Sequence, residues 1–585
     1  MSGSAAKPLI VQSGRTILLD VHADGADDAR AAIMLFAELE KSPEHIHTYR
    51  ITPVSLWNAA SSGLKPADVK KALTNYSRYD LPAGIMENIV DTMARYGNIK
   101  LVKEDSDLIL KCAKPEIAAE LDAAKPLKKL ITPKNGNFVL KMEDRGTVKW
   151  ELIKLGWPVE DIAPLKEGEY LDFSLRCADA FAKSEGSEVN ESVKKYKNEK
   201  KTENTQDMAL TAGGKPFYLR PYQSAAVRSV VGKENDVQGY GVVVLPCGAG
   251  KTLVGMAIMA ALKTNTLILT TNTAAVHQWI DELLDKSNIS RENVAEYTGH
   301  SKKSAPITIA TYQIITWRPS KNAEFIHFKL FRERKWGLII YDEVHLLPAP
   351  VFRITAELQA VRRVGLTATL VREDGAESSV FCLVGPKRFD VPWKDLENLG
   401  WIAEAFCTEI RVSLPEDLKI TYASAEKREK FRIAAENPAK TDIVQQLVEN
   451  HGDDCILVIG QYIEQLEEIA KNLKCPLITG KTPNAKREKI YGAFKSGEIK
   501  LIVVSKVANF AIDLPDASVA IQVSGAFGSR QEEAQRLGRI LRPKNRRSNF
   551  YSIVTSGTAE EEFALNRQQF LTEQGYKYSI RYWHE

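Results

Sequence analysis

A chain of 585 residues exceeds what one hydrophobic core can organise, so roughly three or four domains are expected. Apolar residues at 44% and charged residues at 26% are ordinary for a folded soluble protein, and 79 basic against 75 acidic side chains leave a net charge of +4, so a nucleic-acid surface can come only from local clustering. The seven cysteines (112, 177, 247, 382, 407, 455, 475) form no Cys-x-x-Cys pair, which argues against zinc, iron–sulphur and disulphide chemistry and for reduced intracellular thiols.

The start, MSGSAAK, lacks the apolar core of a signal peptide, and no run approaches 18 apolar residues, so a cytoplasmic protein without a membrane partner is expected. Residues 1–120 read as helices, DDARAAIMLFAELE, SLWNAASSGL, PADVKKALTNYS and PAGIMENIVDTMARYG, closed by a hairpin at NIKLVKED and LILKC, an order that resembles a winged helix. His45 and His47 flank Ile46 and read as surface or core positions rather than ligands. Residues 131–182 form a second small unit with strand FVLKM, helix VKWELIKLGW and strand EYLDFSL. The stretch 183–214 alternates lysine, glutamate and polar residues with little to bury, as a linker does.

From Phe217 onward, short β-branched runs alternate with amphipathic helices: VVVLP, TLILTT, ITIATY, WGLIIYDE and RVGLTAT, then CILVIG, KLIVVS, SVAIQVS and FYSIV. Such runs imply parallel sheets buried on both faces, and their number implies two α/β lobes, at 215–395 and 441–585. Between them, PEDLKITYASAEKREKFRIAAENPAK is basic and helix-prone, a small projecting element at 410–440.

The first lobe opens with FYLRPYQSAAV, in which Arg220 and Gln223 suit hydrogen bonding to an adenine edge. Next, VVVLPCGAGKTLVGMAI runs from strand to glycine-rich loop to helix. Gly248, Ala249 and Gly250 would close backbone N–H groups round phosphate oxygens, Lys251 would reach the β and γ phosphates, and Thr252 would place a hydroxyl on Mg²⁺. The strict phosphate-loop pattern puts a glycine at 245, where this chain has Leu245. Strand-end segments follow: Thr271, Asn272, Gln278 and Trp279 in TTNTAAVHQW, Thr298 and Gly299 in TGHS, and Thr311 and Tyr312 in ATYQ. Their hydroxyls, amides and N–H groups are candidates for phosphodiester contacts that read no sequence.

WGLIIYDEVH then ends a strand on Asp342 and Glu343, 91 residues beyond Lys251. Asp342 would hold the hydration shell of Mg²⁺, and Glu343 would orient or deprotonate the attacking water. GLTATLVREDG carries Thr367 and Thr369 on a small apolar strand and, immediately after it, the charge triplet Arg372, Glu373 and Asp374. In the second lobe, SRQEEAQRLGRILRPK holds Gln535, Arg539 and Arg542, the two arginines at i, i+3 on one helical face. Forked guanidiniums there suit stabilisation of a transferring phosphoryl group, and a finger from one lobe onto another's nucleotide makes hydrolysis depend on closure. The chemistry is that of an NTP hydrolase.

Taken together, Gln223, GAGKT, DEVH, GLTATL and QRLGRILR form the motif set of superfamily-two helicases, and LPCGAGKTLVG, DEVHLLPAPVFR, GLTATLVREDG, GPKRFDVPWKDLENLGWIA and GSRQEEAQRLGRILRPK closely resemble the XPB DNA repair helicase family. The resemblance runs nearly end to end, with HIHTYRITPVSLWNAASSGL resembling that family's N-terminal domain and RQQFLTEQGYKY the end of its motor. It implies two RecA-like parallel-sheet lobes preceded by small α+β domains, with ATP and Mg²⁺ as cofactors. It also implies a 3′–5′ helicase or double-stranded-DNA translocase of nucleotide excision repair, acting as a monomeric motor on duplex or forked DNA. The triplet 372–374 corresponds to the family's RED motif, 131–182 to its damage-recognition domain and 410–440 to its thumb. Relatives carry Gly-Asp where this chain has Ala508-Asn509, and the long eukaryotic extensions are missing, so a bacterial or archaeal type with a nuclease partner is expected, nuclear only if eukaryotic. The competing readings are a DNA-binding scaffold switched by ATP and the motor subunit of a restriction or defence system.

Overall fold

The computed structural model describes residues 7–41, 45–61, 63–105, 107–141, 144–163, 168–176, 209–210, 216–232, 239–246, 248–320, 323, 325–346, 360, 362–368, 380, 384–505, 517–525, 536–538, 540, 547–573, 575–576 and 578–583. The chain divides into two compact units, Met1–Val244 with Thr252–Asp390 and Leu245–Lys251 with Val391–Glu585. Among the described residues no helix is long and apolar enough to cross a membrane.

The amino-terminal part of the first unit is an antiparallel sheet of β1 (Leu9–Val11), β2 (Thr16–Asp20), β3 (Glu38–Lys41) and β4 (Ile46–Arg50) in the order β1-β2-β4-β3. Helices α1 (Ala26–Ile33), α2 (Pro53–Ser61), α3 (Pro66–Tyr76) and α4 (Ile85–Met93) share a core with it, built on Ile17, Leu19, Tyr49, Leu56, Leu73 and Ile89. The helix expected over DDARAAIMLFAELE ends at Ile33, and its last residues become β3 because the open edge of β4 pairs with them.

The expected hairpin, β5 (Ile99–Glu104) and β6 (Asp107–Cys112), does not close the helices as a wing would. It joins β7 (Ile131–Lys134), β8 (Asn137–Leu140) and β9 (Val159–Asp161) in a sheet of order β7-β8-β6-β5-β9. With α5 (Pro115–Ala123) and α6 (Arg145–Lys154), that sheet buries Leu101, Leu110, Phe138, Val148 and Leu152 in a core of its own. Strand pairing therefore places the division between Met93 and Ile99, not between 120 and 131, since a two-stranded ribbon needs a partner sheet to hide its apolar face.

The expected strand EYLDFSL enters neither sheet. Residues 168–176 run as an extended strap along the lobe that follows, bridging Tyr170 to Thr264 and Leu175 to Ser287. The Asn265 N–H donates to the Glu169 carbonyl at 2.9 Å, the Leu171 N–H to Lys263 at 2.9 Å, and Arg176 Nε to the Ser287 carbonyl at 2.7 Å. A Cβ on Gly168 would lie 2.2 Å from the Gly337 backbone, so only glycine permits this contact. Of the expected linker, residues 183–208 lie outside the described residues, and β10 (Ala209–Leu210) pairs with β11 (Pro216–Phe217) at its end.

The first lobe is a seven-stranded parallel sheet of β12 (Tyr240–Val244), β13 (Thr266–Thr270), β14 (Val294–Tyr297), β15 (Ile307–Thr311), β16 (Leu338–Asp342), β17 (Arg362–Thr367) and β18 (Lys387–Asp390), ordered β14-β15-β13-β16-β17-β12-β18. All five runs expected as strands are strands, and the unbroken burial of β13 and β15 shows why they carry no polar alternation.

The second lobe is likewise parallel, with β19 (Ala405–Val412), β20 (Ile456–Gly460), β21 (Leu477–Ile478), β22 (Leu501–Ser505), β23 (Val519–Gln522), β24 (Ser548–Thr555) and β25 (Tyr578–Tyr582) in the order β21-β22-β20-β23-β24-β19-β25. Its core centres on Ile410, Ile443, Val458, Leu466, Val503 and Ile521. Because β19 precedes the basic insert, this lobe begins before 415 rather than at 441, and the insert is a pair of helices within it, Glu416–Ser424 and Lys427–Ala435. The first of these buries no side chain, whereas the second buries Phe431, Ala434 and Ala435.

Candidate nucleotide-hydrolysis site

Three neighbouring strands of the first lobe end together. Val244 of β12 stands opposite Thr367 of β17, and Asp342 of β16 opposite Leu366 of β17. The carboxyl edge of a parallel α/β sheet is where such folds place their ligands. The glycine-rich loop leaves β12 at this edge and enters helix α8 (Lys251–Leu262). Gly248 (φ 80°) and Gly250 (φ 81°) are left-handed, a conformation that a side chain would strain, and the Ala249 N–H donates to Pro246 at 3.2 Å.

Helix α7 (Pro221–Val231) begins with proline at its first turn, where no N–H is needed. Gln223, 3% exposed, accepts from the Arg220 N–H through Oε1 at 2.8 Å, and Arg220 Nη1 donates to the Tyr222 hydroxyl at 3.3 Å. Of the two residues expected to read an adenine, Gln223 thus fixes the backbone of Arg220, whose guanidinium turns to Tyr222.

The Asp342 carboxylate is fixed at both oxygens. Oδ2 accepts from the indole Nε1 of Trp279 at 3.0 Å, and Oδ1 accepts from the Glu343 N–H at 3.1 Å. Its backbone carbonyl accepts from the Tyr312 hydroxyl at 3.0 Å. Burial, then the nearby Asp342 charge, raises the Tyr312 phenol well above its ordinary value, so it remains a donor.

Glu343 has φ 52°, a left-handed backbone unusual for a residue with a Cβ and typical of strained functional turns. His345, 2% exposed, places Nδ1 3.4 Å from Glu343 Oε2 and 3.0 Å from the Thr367 hydroxyl. One imidazole therefore links the acidic pair on β16 to the strand that leads into the charge triplet. Two glycines allow this packing: a Cβ on Gly255 would lie 2.6 Å from the Trp279 ring, and one on Gly365 would lie 2.9 Å from Val344.

Three family profiles match the chain: ERCC3/RAD25/XPB C-terminal helicase at residues 396–582, Type III restriction enzyme, res subunit, at 216–372, and Helicase conserved C-terminal domain at 9–134. The proteins named DNA 3′-5′ helicase XPB from Kineococcus radiotolerans and Mycobacterium tuberculosis are each 47% identical to it, over 98% of this chain and 96% and 97% of theirs. The chain belongs to the XPB helicase family. A more distant member is the general transcription and DNA repair factor IIH helicase/translocase subunit XPB/SSL2 of Saccharomyces cerevisiae, 30% identical over 98% of this chain and 72% of its own.

Within this XPB-family chain one expected contact is corrected. Trp279 was expected among the phosphodiester contacts, but it is 1% exposed, and its N–H is spent on Asp342. The TTNTAAVHQW stretch misleads because its hydroxyls and amides do lie at a strand end while the indole turns inward beneath α8. Asn272 caps α9 (Thr273–Lys286), accepting from the Ala275 N–H at 3.0 Å, and its Nδ2 donates to Thr271 Oγ1 at 2.9 Å. Thr311 is buried and caps the next helix through the Ile314 N–H at 3.3 Å, and Thr298 is buried as well, whereas Thr271 and Gln278 are half-buried. His345 was missed as a working residue although DEVH was in view, since a histidine two positions past a carboxylate has no distinguishing spacing. Thr369, Arg372, Glu373, Asp374, Gln535, Arg539, Arg542 and the 508–509 pair lie outside the described residues.

Proposed function

We propose that the chain is an ATP-driven 3′–5′ DNA helicase and double-stranded-DNA translocase acting in nucleotide excision repair. The observation that carries this reading is the run of contacts from Trp279 through Asp342 and Glu343 to His345 and Thr367, hydrogen-bonded except where His345 Nδ1 faces Glu343 Oε2 across 3.4 Å, which joins a hydrolytic acid pair to a strand that could relay its state. The near-full-length identity to proteins named DNA 3′-5′ helicase supports the same reading.

In this reading Gly248, Ala249, Gly250 and Lys251 hold the phosphates, and Arg220 and Gln223 hold the adenine. Thr252 and Asp342 would hold Mg²⁺: a carboxylate oriented by two N–H donors, and a hydroxyl on the first turn of a helix, are the hard oxygen donors that this ion takes. When bound, Mg²⁺ neutralises charge on the β and γ phosphates. Glu343 takes the proton of the attacking water, from a left-handed turn at φ 52° that ends the strand beside Asp342. Gln535, Arg539 and Arg542 stabilise the transferring phosphoryl group, while the half-buried Thr271, Asn272 and Gln278 lie along the DNA path. Arg372, Glu373 and Asp374 engage the fork.

The test is triplex displacement on duplex DNA alongside unwinding of a 3′-tailed fork, both with ATP. Displacement that requires hydrolysis is expected. A single round of hydrolysis without movement on either substrate would instead identify a scaffold switched by ATP.

A further inference from the structure

At the amino ends of β12 and β17, on the edge of the sheet opposite Asp342 and Thr367, lies a cleft of about 360 Å³. Its walls come from three parts of the first unit: α2 with Trp57, α6 with Arg145 and Lys149, and the sheet with Tyr240 and Arg363. Tyr240 and Arg363 are register partners, and Arg363 stands about 13 Å along its strand from Thr367, so the cleft is distinct from the nucleotide edge.

Its charge is unbalanced. Three cations, Arg145, Lys149 and Arg363, line it against one carboxylate, Asp161. That carboxylate is already saturated: it accepts from Arg145 Nε at 3.0 Å, from Arg145 Nη2 at 2.5 Å and from Lys149 Nζ at 2.9 Å. Arg145, 6% exposed, keeps Nη1 shut away from solvent without a hydrogen-bond partner, and Nε of half-buried Arg363 is in the same condition. Guanidinium groups in so confined a setting favour an anion that brings its own acceptor oxygens.

We propose that this cleft binds a phosphate monoester of about nucleoside-monophosphate size, its dianion received by Arg145, Lys149 and Arg363. Two charges in excess match a dianion, and forked guanidiniums match phosphate oxygens. The volume falls at the low end of small-ligand sites, too large for phosphate alone and too small for a duplex. Trp57 and Ile153 offer apolar surface for the organic part. Burial pushes the Tyr96 phenol up to about 12, so it lines the cleft as a neutral donor. A ligand here touches both amino-terminal folds and the motor lobe at once, and would tie the three together.

The test is calorimetric titration of orthophosphate and of adenosine monophosphate into the full-length chain and into Lys149→Gln and Arg363→Gln variants. Arg145 is left intact because its loss would strand Asp161. Saturable binding is expected, tighter for the ester, with each variant weakening it about tenfold or more while ATP turnover persists. Only the variant-sensitive component counts, since binding at the glycine-rich loop is indifferent to both changes. No binding in the parent chain, or equal binding in both variants, overturns the proposal. Orthophosphate binding as tightly as the ester removes the organic part from it, and displacement of the ester by a short oligonucleotide reassigns the phosphate to nucleic acid.

Discussion

The Trp279 indole, buried under the helix that follows the glycine-rich loop, donates its single N–H to Oδ2 of Asp342 at 3.0 Å. The Asp342 carboxylate is thereby held by a rigid donor, packed against Gly255 where no side chain intervenes, as the proposed Mg²⁺ role of Asp342 would require. The arrangement turns a residue of a neighbouring helix into a positioning group for the acid on β16.

Trp279→Phe should keep the ring and lose the hydrogen bond. A bond to a charged group is worth about 1.5–3 kcal/mol, so turnover should fall about tenfold or more while the fold and ATP affinity change little. Gly255→Ala should act in the same direction by pushing the ring away from Asp342. Steady-state ATP hydrolysis at saturation checks both, and unchanged turnover in Trp279→Phe would show that Asp342 needs no such support.

Lys251→Ala should abolish ATP hydrolysis and leave DNA affinity largely intact, because the proposed DNA contacts arise on other segments. Hydrolysis and fluorescence-anisotropy binding are to be measured on the same preparation. The arginines follow a different rule: Arg539→Ala and Arg542→Ala should each lower the saturated rate far more than ATP affinity, since the contacts proposed for them belong to the closed transition-state arrangement. A loss of affinity at an unchanged saturated rate would make either residue a ground-state binder.

How much of this was legible follows from what each residue's pattern encodes. The motor lobes were readable because a buried parallel strand must be an unbroken apolar run, and VVVLP or CILVIG admit no other reading at that length. The strand-loop-helix setting of the glycine-rich loop and the strand end at Asp342 were readable because apolar runs broken by glycines or charges mark where a buried strand stops. The amino-terminal sheet was not, because Glu38–Lys41 has helical neighbours and becomes a strand only when β4 offers an edge. Nor was the inward turn of Trp279, since nothing local distinguishes an indole that meets DNA from one that meets a carboxylate sixty-three positions away.

His47 makes the amino-terminal fold sensitive to acid. It is 4% exposed on β4, and burial, helped by Arg30, lowers its imidazole from the ordinary 6.5 to about 4. Above pH 6.5 the folded and unfolded chains both hold it neutral, and no penalty arises. Between 6.5 and about 4 the unfolded chain takes a proton that the folded chain refuses, so stability falls across that window, by about 3 kcal/mol at its lower end. Asp161 runs on a lower range, since burial raises it but Lys149 and Arg145 more than reverse this, so its contribution is lost only as pH falls below the ordinary carboxylate value. The protection factors of β2 and β4 amides, taken against the intrinsic exchange rate at each pH, should therefore fall from pH 6.5 to 4, and His47→Gln should flatten that dependence. An NMR titration placing the ring near 6.5 would remove the basis for it.

The strand that ends at Thr367 leads, five residues on, to Arg372, Glu373 and Asp374, and Thr367 is itself hydrogen-bonded to His345, which faces Glu343. If the fork-engaging triplet reads the nucleotide through this strand, two variants should separate the tasks. Thr367→Val keeps the shape of a fully buried side chain and removes its hydroxyl, leaving His345 with one partner fewer. It should lower the number of base pairs opened per ATP more than it lowers ATP turnover. Replacing Arg372, Glu373 and Asp374 together with alanine should leave hydrolysis within about twofold of the parent and abolish unwinding, because the groups proposed to hold and hydrolyse ATP lie on other segments. Both rates are to be measured on one forked substrate, where their ratio is the coupling. A proportional fall of hydrolysis and unwinding in the triple variant would place the triplet inside the hydrolytic cycle, and retention of both would reduce it to a solvated turn.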